Sequence, residues 1–352
     1  MANVLCNERR VAVISHLMEG ASVASTVRLT EVSKPCVLKL LVDVGAGCER
    51  LHNRMIRDLM ITRVECDEIW SYVHTKAKRV KETDPCEYGD AWTYVAMGST
   101  SKLIIAYRVG KRDEENTRAF IADTRSRLLV IPQLSTDGFK GYEPAVGESF
   151  GAAVDYGQVV KSFSGRRRDY DRYAPAEQPF VVKKPIAGAP DLAKVSTSLV
   201  ERQNLTIRMQ IRRFMRRGNG FSKKLVNHTA AVSLHFAWYN FCRIHETLRV
   251  TPAMEAGITS HVWTVAELLE AALAEVPSPP PEPKPLRPRE ETPGAVRELP
   301  DGRGWLRVIP GGRTHPGLAS APGLPKLKRE APVKEAPKKG EQLSLFDPPP
   351  KD

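Results

Sequence analysis

Three carboxylates in the 352-residue sequence stand where acids are unexpected. Asp67 lies in Val64-Glu-Cys-Asp-Glu-Ile-Trp70, an acidic run inside a β-branched and aromatic stretch. Asp137 falls in Ser135-Thr-Asp-Gly138, and Glu201 heads Ser198-Leu-Val-Glu-Arg-Gln-Asn-Leu205, the start of a strongly basic run. Separations of 70 and 64 residues exclude local helical pairing, so only tertiary folding could join them. An unpaired carboxylate in a core costs several kcal/mol, which makes a cation the expected partner. Three hard oxygen ligands suit Mg²⁺ or Mn²⁺, with positions left for water and phosphate. Two such ions, roughly 3.5 to 4 Å apart, activate an attacking oxygen and stabilise a leaving one in phosphoryl transfer. The same residues also admit a structural reading, in which Asp137 caps a helix, Glu201 closes a capping box with Ser198, and Asp67 is salt-bridged.

The run carrying Glu201 reads as a helix over residues 198 to 217, with Ser198 as its N-cap. Val200, Ile207, Ile211 and Phe214 recur at helical spacing and form a buried stripe, with Glu201, Leu205, Arg208 and Arg212 beside it. Arg202, Arg208, Arg212, Arg213, Arg216 and Arg217, followed by Lys223 and Lys224, are denser than an ordinary solvated face. They would neutralise phosphates and make affinity fall steeply with salt. Asn240, Arg243 and His245, at the end of the next long helix, are candidate accessory residues. His245 could orient DNA or protonate a leaving group, and its plainer role is a hydrogen bond at a helix C-terminus.

A net charge of +12 and a pI near 9.4 call for a polyanionic partner, either nucleic acid or an acidic membrane surface. No apolar run approaches the roughly 18 to 20 residues of a membrane span, and the N-terminus lacks a signal-peptide core. The expectation is a soluble, cytoplasmic protein without a membrane partner. Six scattered cysteines form no C-x-x-C pair, so they read as reduced thiols rather than a zinc ribbon.

These residues need a scaffold, and hydrophobic periodicity outlines one. Residues 8 to 46 read as a helix-turn-helix: a first helix stopped by Gly20, a short second one, and a third capped by Ser33 with Pro35 in its first turn. Lys34 and Lys39, at the exposed start of the third helix, would face a major groove, although many small three-helix units share the pattern without touching DNA. From Arg63 the period becomes two. Strands are expected over residues 63 to 73, 91 to 98 and 102 to 109, then a helix capped by Asp113 to residue 128. A strand over 131 to 136, a short helix with Tyr142, Val146 and Phe150, and a strand over 154 to 160 follow. Residues 164 to 194 read as a long irregular surface excursion. Helices are expected over 221 to 241 and 264 to 274. This order suits an α/β, ribonuclease-H-like mixed sheet with flanking helices, while periodicity alone admits other α/β folds.

The ordered series Cys66-Asp-Glu-Ile-Trp70, Ser135-Thr-Asp-Gly138, Val200-Glu-Arg-Gln-Asn-Leu205, Gly220-Phe-Ser-Lys-Lys224 and Tyr239-Asn-Phe-Cys-Arg-Ile-His245 resembles the motifs of DDE transposases, and most closely the insertion-sequence-one (IS-one) family. The resemblance spans about residues 8 to 260. It implies a ribonuclease-H-like catalytic domain, Asp67, Asp137 and Glu201 as the catalytic and metal-binding triad for Mg²⁺ or Mn²⁺, and Arg208 in contact with DNA near that triad. The implied activity is binding of terminal inverted repeats and metal-dependent strand cleavage and transfer into target DNA, by a homo-oligomer in a bacterial, nucleoid-associated setting. Members of the family often carry a cysteine-rich zinc element before the helix-turn-helix, and this sequence has none, which leaves end recognition to residues 8 to 46. Two other readings remain: a non-catalytic DNA-binding relative, and a ribonuclease-H-like nuclease without strand transfer.

The expected organisation is thus an all-α helix-turn-helix domain over residues 1 to 60, a catalytic domain over 61 to 260, a short helical extension over 261 to 276, and a disordered tail over 277 to 352. The tail holds 18 of the 27 prolines. Near its end, Gln342, Leu343, Ser344, Leu345 and Phe346 resemble the motif that binds the bacterial DNA-polymerase sliding clamp. An extended peptide of this kind could insert Leu345 and Phe346 into an apolar pocket while Gln342 hydrogen-bonds.

Overall fold

The structure is a computed structural model that describes residues 5–162, 180–215, 219–275, 277 and 282–287, together with the backbone of 296–298 and 305–307. Arg216, Arg217 and residues 342–346 lie outside the described residues, as does most of the tail. Residues 1–291 make one compact unit and residues 292–352 a second.

The chain opens with three helices, α1 (Asn7–Met18), α2 (Val23–Thr30) and α3 (Lys34–Met55). Ser22 caps α2 by accepting a hydrogen bond from the Ser25 amide at 3.0 Å. Val13, Val32 and Val37 close a small core between these helices, and Lys34 and Lys39 are exposed on the first turns of α3. The third helix runs well past the expected residue 46. Its second half is buried against two later helices, and the approach is close: a Cβ on Gly45 would lie 2.5 Å from the Ala230 backbone, and one on Gly47 2.0 Å from the Ala272 carbonyl oxygen. The end of α3 is therefore packed into the main core, with Leu41, Val44, Cys48 and Leu51.

The remaining elements of this unit are β1 (Arg63–Val73), β2 (Gly89–Gly98), β3 (Ile104–Gly110), α4 (Glu114–Ser126), β4 (Gln133–Asp137), α5 (Tyr142–Phe150), β5 (Asp155–Ser162), β6 (Phe180–Ala187), α6 (Ser198–Gln210), α7 (Leu225–Phe241), α8 (Pro252–Glu255) and α9 (Val265–Ala274). Six strands form one mixed sheet in the order β3-β2-β1-β4-β5-β6. The central strands β1, β4 and β5 are parallel; β2, β3 and β6 join antiparallel. An antiparallel meander leading into a parallel centre, with helices on both faces, is the ribonuclease-H-like arrangement.

Alternation along β1 sends successive side chains to opposite faces. Cys66 and Glu68 face the α4–α5 side, where the Tyr142 hydroxyl donates to Glu68 at 2.8 Å. Asp67 and Ser71 face α6 and α7, meeting Asn204 and His228. Helix α7 is buried around nearly its whole circumference, not on one stripe, because α3, β3 and α9 enclose it.

Besides α3, two elements differ from expectation. The excursion over residues 164 to 194 contains the edge strand β6, whose residues are mostly exposed and include Pro185. An edge strand can hold a proline because one side of it needs no amide donors. The helix expected through residue 217 ends at Gln210: Ile211 turns extended (φ −105°, ψ 104°), and a 3-10 turn, Arg212–Phe214, follows. That turn lets Ile211 and Phe214 both reach the core.

At the start of the tail, residues 282–287 lie along the body: the Arg287 amide donates to the Leu129 carbonyl at 2.7 Å, and the Ile131 amide donates to the Arg287 carbonyl at 2.9 Å. In the second unit, β7 (Val296–Glu298) pairs antiparallel with β8 (Trp305–Arg307).

Candidate active site

The pairing of β1 with β4 brings the first two acids together. Every paired position is offset by 70 residues, ending at Cys66 with Thr136, so Asp67 and Asp137 fall level at the next step. There β4 stops while β1 runs on to Val73, which opens the sheet beside Asp67. Carboxylate oxygens of Asp67, Glu68 and Asp137 lie within 4.8 Å of one another. Asp137 is oriented by the turn after its strand, where its Oδ1 accepts from the Phe139 amide at 3.0 Å.

Helix α6 supplies the third acid. Its exposed N-terminal amides are met by a buried side chain of β1: Glu65 Oε2 accepts from the amides of Leu199 at 2.9 Å and Val200 at 3.3 Å. This carboxylate does what the sequence assigned to a Ser198–Glu201 capping box; the N-cap is Thr197, and Ser198 makes no such box. Glu201 is left free to turn into the cleft, where Lys161 pairs with it and the Thr197 hydroxyl donates to its Oε1 at 2.6 Å. One turn further along, Asn204 Nδ2 donates to Asp67 Oδ2 at 2.8 Å. The structural alternative thus fails for Asp67, which has no salt bridge among the described residues.

The result is a cleft of about 660 Å³ lined by Asp67, Asp137 and Glu201 together with Arg112, Lys140 and Lys161. Glu201 belongs to the cleft but not to the tight group, whose third member is Glu68. Arg112 holds Glu68 through Nε at 2.6 Å and comes within 3.9 Å of Asp137 Oδ2. Glu68 is almost sealed, with 1% of its side chain accessible, whereas Asp137 keeps 36%.

Electrostatics mark Asp67 as the residue short of a counter-ion. Burial, then the neighbouring Glu68 and Asp137 carboxylates, push its pKa up to about 7. Burial also raises Asp137 and Glu68, each against the pull of Arg112. An all-oxygen set of crowded carboxylates, with the half-buried Asp67 met only by neutral amides, fits a hard divalent cation. Asp67 and Asp137 are placed to hold it, with Glu68 or Glu201 adjacent.

The basic residues named from the sequence divide. Arg202, Arg212, Lys223 and Lys224 are exposed, and Arg208 is half-buried. Arg213 is mostly buried, donates to the Ser222 hydroxyl at 3.0 Å, and has its pKa lowered to about 10 by that burial. Asn240 does not reach the surface: its side chain accepts from the Ile104 amide and donates to the Ile104 carbonyl, both at 3.0 Å, fixing α7 to β3. Arg243 lies against Trp238 and donates to Gln210 Oε1 at 3.0 Å. His245 Nδ1 serves the turn after α7 by accepting from Thr247. Sequence reasoning missed Arg112, Lys161 and the positioning role of Asn204. Only Asn204 carried a signal, its i, i+3 spacing from Glu201.

No protein-family model matches this chain, and neither does any curated protein. Among solved structures it is similar to a piggyBac transposase synaptic complex with hairpin DNA, at 9% identity over 76% of this chain and 70% of that one, with a TM-score of 0.37. It is also similar to the Mos1 strand transfer complex, at 14% identity over 65% of this chain and 76% of that one, with a TM-score of 0.20. Similarity this low bears on neither activity nor substrate, and the strand order itself defines the fold. Among the described residues, no helix is long and apolar enough to cross a membrane.

Proposed function

We propose that this chain is a DDE-type DNA transposase of the insertion-sequence-one kind, which binds the terminal inverted repeats of its element and carries out metal-dependent strand cleavage and strand transfer. The observation that carries the reading is the convergence of Asp67, Asp137 and Glu201, from β1, β4 and α6, on one open cleft with basic walls. A divalent cation, Mg²⁺ or Mn²⁺ and in the two-ion form a pair, supplies Lewis-acid activation of the attacking oxygen and neutralises charge on the leaving one.

The chain's own residues do the rest. Asp67 and Asp137 present oxygens at the level where β4 ends, and Asn204 keeps Asp67 in place. Lys140 and Lys161 offer positive charge to a phosphodiester entering the cleft, while Lys161 releases or shares Glu201. Arg202, Arg208, Arg212, Lys223 and Lys224 extend the basic surface for flanking DNA. Lys34 and Lys39, on an exposed helix start, are the groove-reading residues of the first three helices. Synapsis of two ends calls for a homo-oligomer, and residues 342–346 are the motif that binds a bacterial sliding clamp. The setting is the bacterial cytoplasm at the nucleoid.

The test is strand cleavage of a duplex carrying the element's terminal repeat, with Mg²⁺ and with EDTA. Asp137→Asn should abolish cleavage and leave duplex binding intact. Full cleavage by that variant, or equal cleavage in EDTA, overturns the proposal; cleavage without joining of a pre-cut end leaves a nuclease rather than a transposase.

A further inference from the structure

Beyond the cleft, β1 and β2 carry a line of rings that the folded chain leaves half-exposed. The line begins under Arg112, whose guanidinium carbon lies 4.0 Å from the Phe139 ring centroid and 4.8 Å from that of Trp92, while the same group holds Glu68. Trp92 is the register partner of Trp70 across the antiparallel pair, so the two indoles share a sheet face. Trp70 packs on Tyr72 with ring centroids 5.7 Å apart, and Tyr72 stacks on Phe221 at 5.1 Å and 27°. Phe221 is brought there by a short parallel bridge between Ser222 and Val73. Phe139 and Arg112 line the acidic cleft, so the ring line starts at its wall and continues along the part of β1 that outruns β4.

Trp92 packs with one side on the core, and Trp70, Tyr72 and Phe221 keep part of their ring area in solvent on the same stretch of sheet, a contiguous aromatic patch rather than scattered single rings. One carboxylate shares the face, Asp90 opposite Tyr72, with its Oδ1 accepting from the Ala77 amide at 3.3 Å; the cations lie beyond it. Lys76 Nζ sits 5.9 Å over the Tyr72 ring, and Lys78 and Arg79 follow, exposed and without a carboxylate partner among the described residues. Aromatic rings with exposed cations past one end and the Glu68-paired Arg112 at the other match a strand of unpaired nucleotides: the rings take base faces and Lys76, Lys78 and Arg79 take phosphates. A duplex would not fit, because its base faces are already stacked. An apolar protein partner would gain nothing from the neighbouring cations.

We propose that Trp92, Trp70, Tyr72 and Phe221 form a stacking platform for single-stranded DNA leading out of the acidic cleft, with Arg112 at the junction. The inference rests on the cleft being a DNA-processing site. It assigns the unpaired nucleotides next to the processed phosphate to the β1–β2 side.

The test is a titration of the full chain with a 15-mer of thymidine, followed by tryptophan fluorescence and by anisotropy of labelled oligonucleotide, in EDTA. Poly-glutamate and a blunt duplex serve as comparisons. Indole emission should be quenched by the thymidine strand and not by poly-glutamate, and the paired change Trp70→Phe with Trp92→Phe should remove the quenching while the anisotropy change persists. Tyr72→Leu with Phe221→Leu, which keeps apolar bulk, should weaken single-strand binding about tenfold or more and duplex binding less than twofold. Absence of quenching in the wild-type chain, or equal losses for single strand and duplex, overturns the proposal. Because no divalent cation is present, the outcome is independent of whether the acidic cleft cleaves DNA.

Discussion

Replacing Asp67 by Asn should stabilise the metal-free protein at neutral pH, and the size of the gain follows from the carboxylate's surroundings. Its pKa is about 7 in the folded chain against 3.8 for an unperturbed Asp. About three units at roughly 1.36 kcal/mol each make ionisation of the folded site cost up to about 4 kcal/mol. The unfolded chain gives up this proton near pH 4 and the folded chain only near pH 7. Stability conferred by the protonated form is therefore complete below about pH 4 and lost as the pH rises through 7. Asn keeps an oxygen for the Asn204 amide and never ionises. In urea denaturation with EDTA, Asp67→Asn should gain stability at pH 7.5, by at most that 4 kcal/mol, and show little change at pH 4. Mg²⁺ should then raise the stability of the wild type and not of the variant. A variant that is equally destabilised at both pH values, or that responds to Mg²⁺ as the wild type does, would refute the reasoning.

Asn204→Ala leaves every carboxylate in place but removes the amide that orients Asp67, so cleavage should fall about 10- to 100-fold with little change in DNA affinity, measured by single-turnover kinetics and anisotropy. Glu65→Gln weakens the anchoring of the first α6 amides, and chemical denaturation should register a loss of about 1 to 2 kcal/mol. His235 is buried with both ring nitrogens unpartnered among the described residues, and burial, then Arg243, lowers its pKa to about 3. The unfolded chain gains that proton near pH 6.5 while the folded chain does not, so stability drains as the pH falls from about 6.5 toward 3. His235→Phe should reduce the acid-side slope by about 1.4 kcal/mol per pH unit between pH 6 and 4, read from denaturation curves at several pH values; an unchanged slope would place the proton elsewhere.

Much of the scaffold was legible because β1, β2 and α5 announce themselves by sharp changes of period, and the 70-residue separation of Asp67 and Asp137 turned out to be the register offset of β1 against β4. The edge strand β6 was not legible. Its exposed, lysine- and proline-containing sequence lacks the burial that period reading depends on. The break at Ile211 was hidden for the opposite reason, since the apolar spacing continues through it and only the tertiary demand to bury both Ile211 and Phe214 ends the helix. In the site, acids could be named from their improbable setting, but their partners could not. Lys161, Arg112 and Glu65 reach their targets across the sheet or from neighbouring strands, and no local pattern encodes such contacts. Asn240, a candidate accessory residue from its place at the end of a helix, has its amide spent on the Ile104 backbone, a long-range contact that no local pattern encodes.

The central claim, that Asp67 and Asp137 together hold a divalent cation, is tested most directly by Mn²⁺ titration of the full chain followed by electron paramagnetic resonance at pH 7.5. The wild type should bind Mn²⁺ in stoichiometric amount, with competition by Mg²⁺, and the double variant Asp67→Asn, Asp137→Asn should leave the free-ion signal unchanged. Equal binding by wild type and double variant, or none by the wild type even with DNA present, would contradict the account.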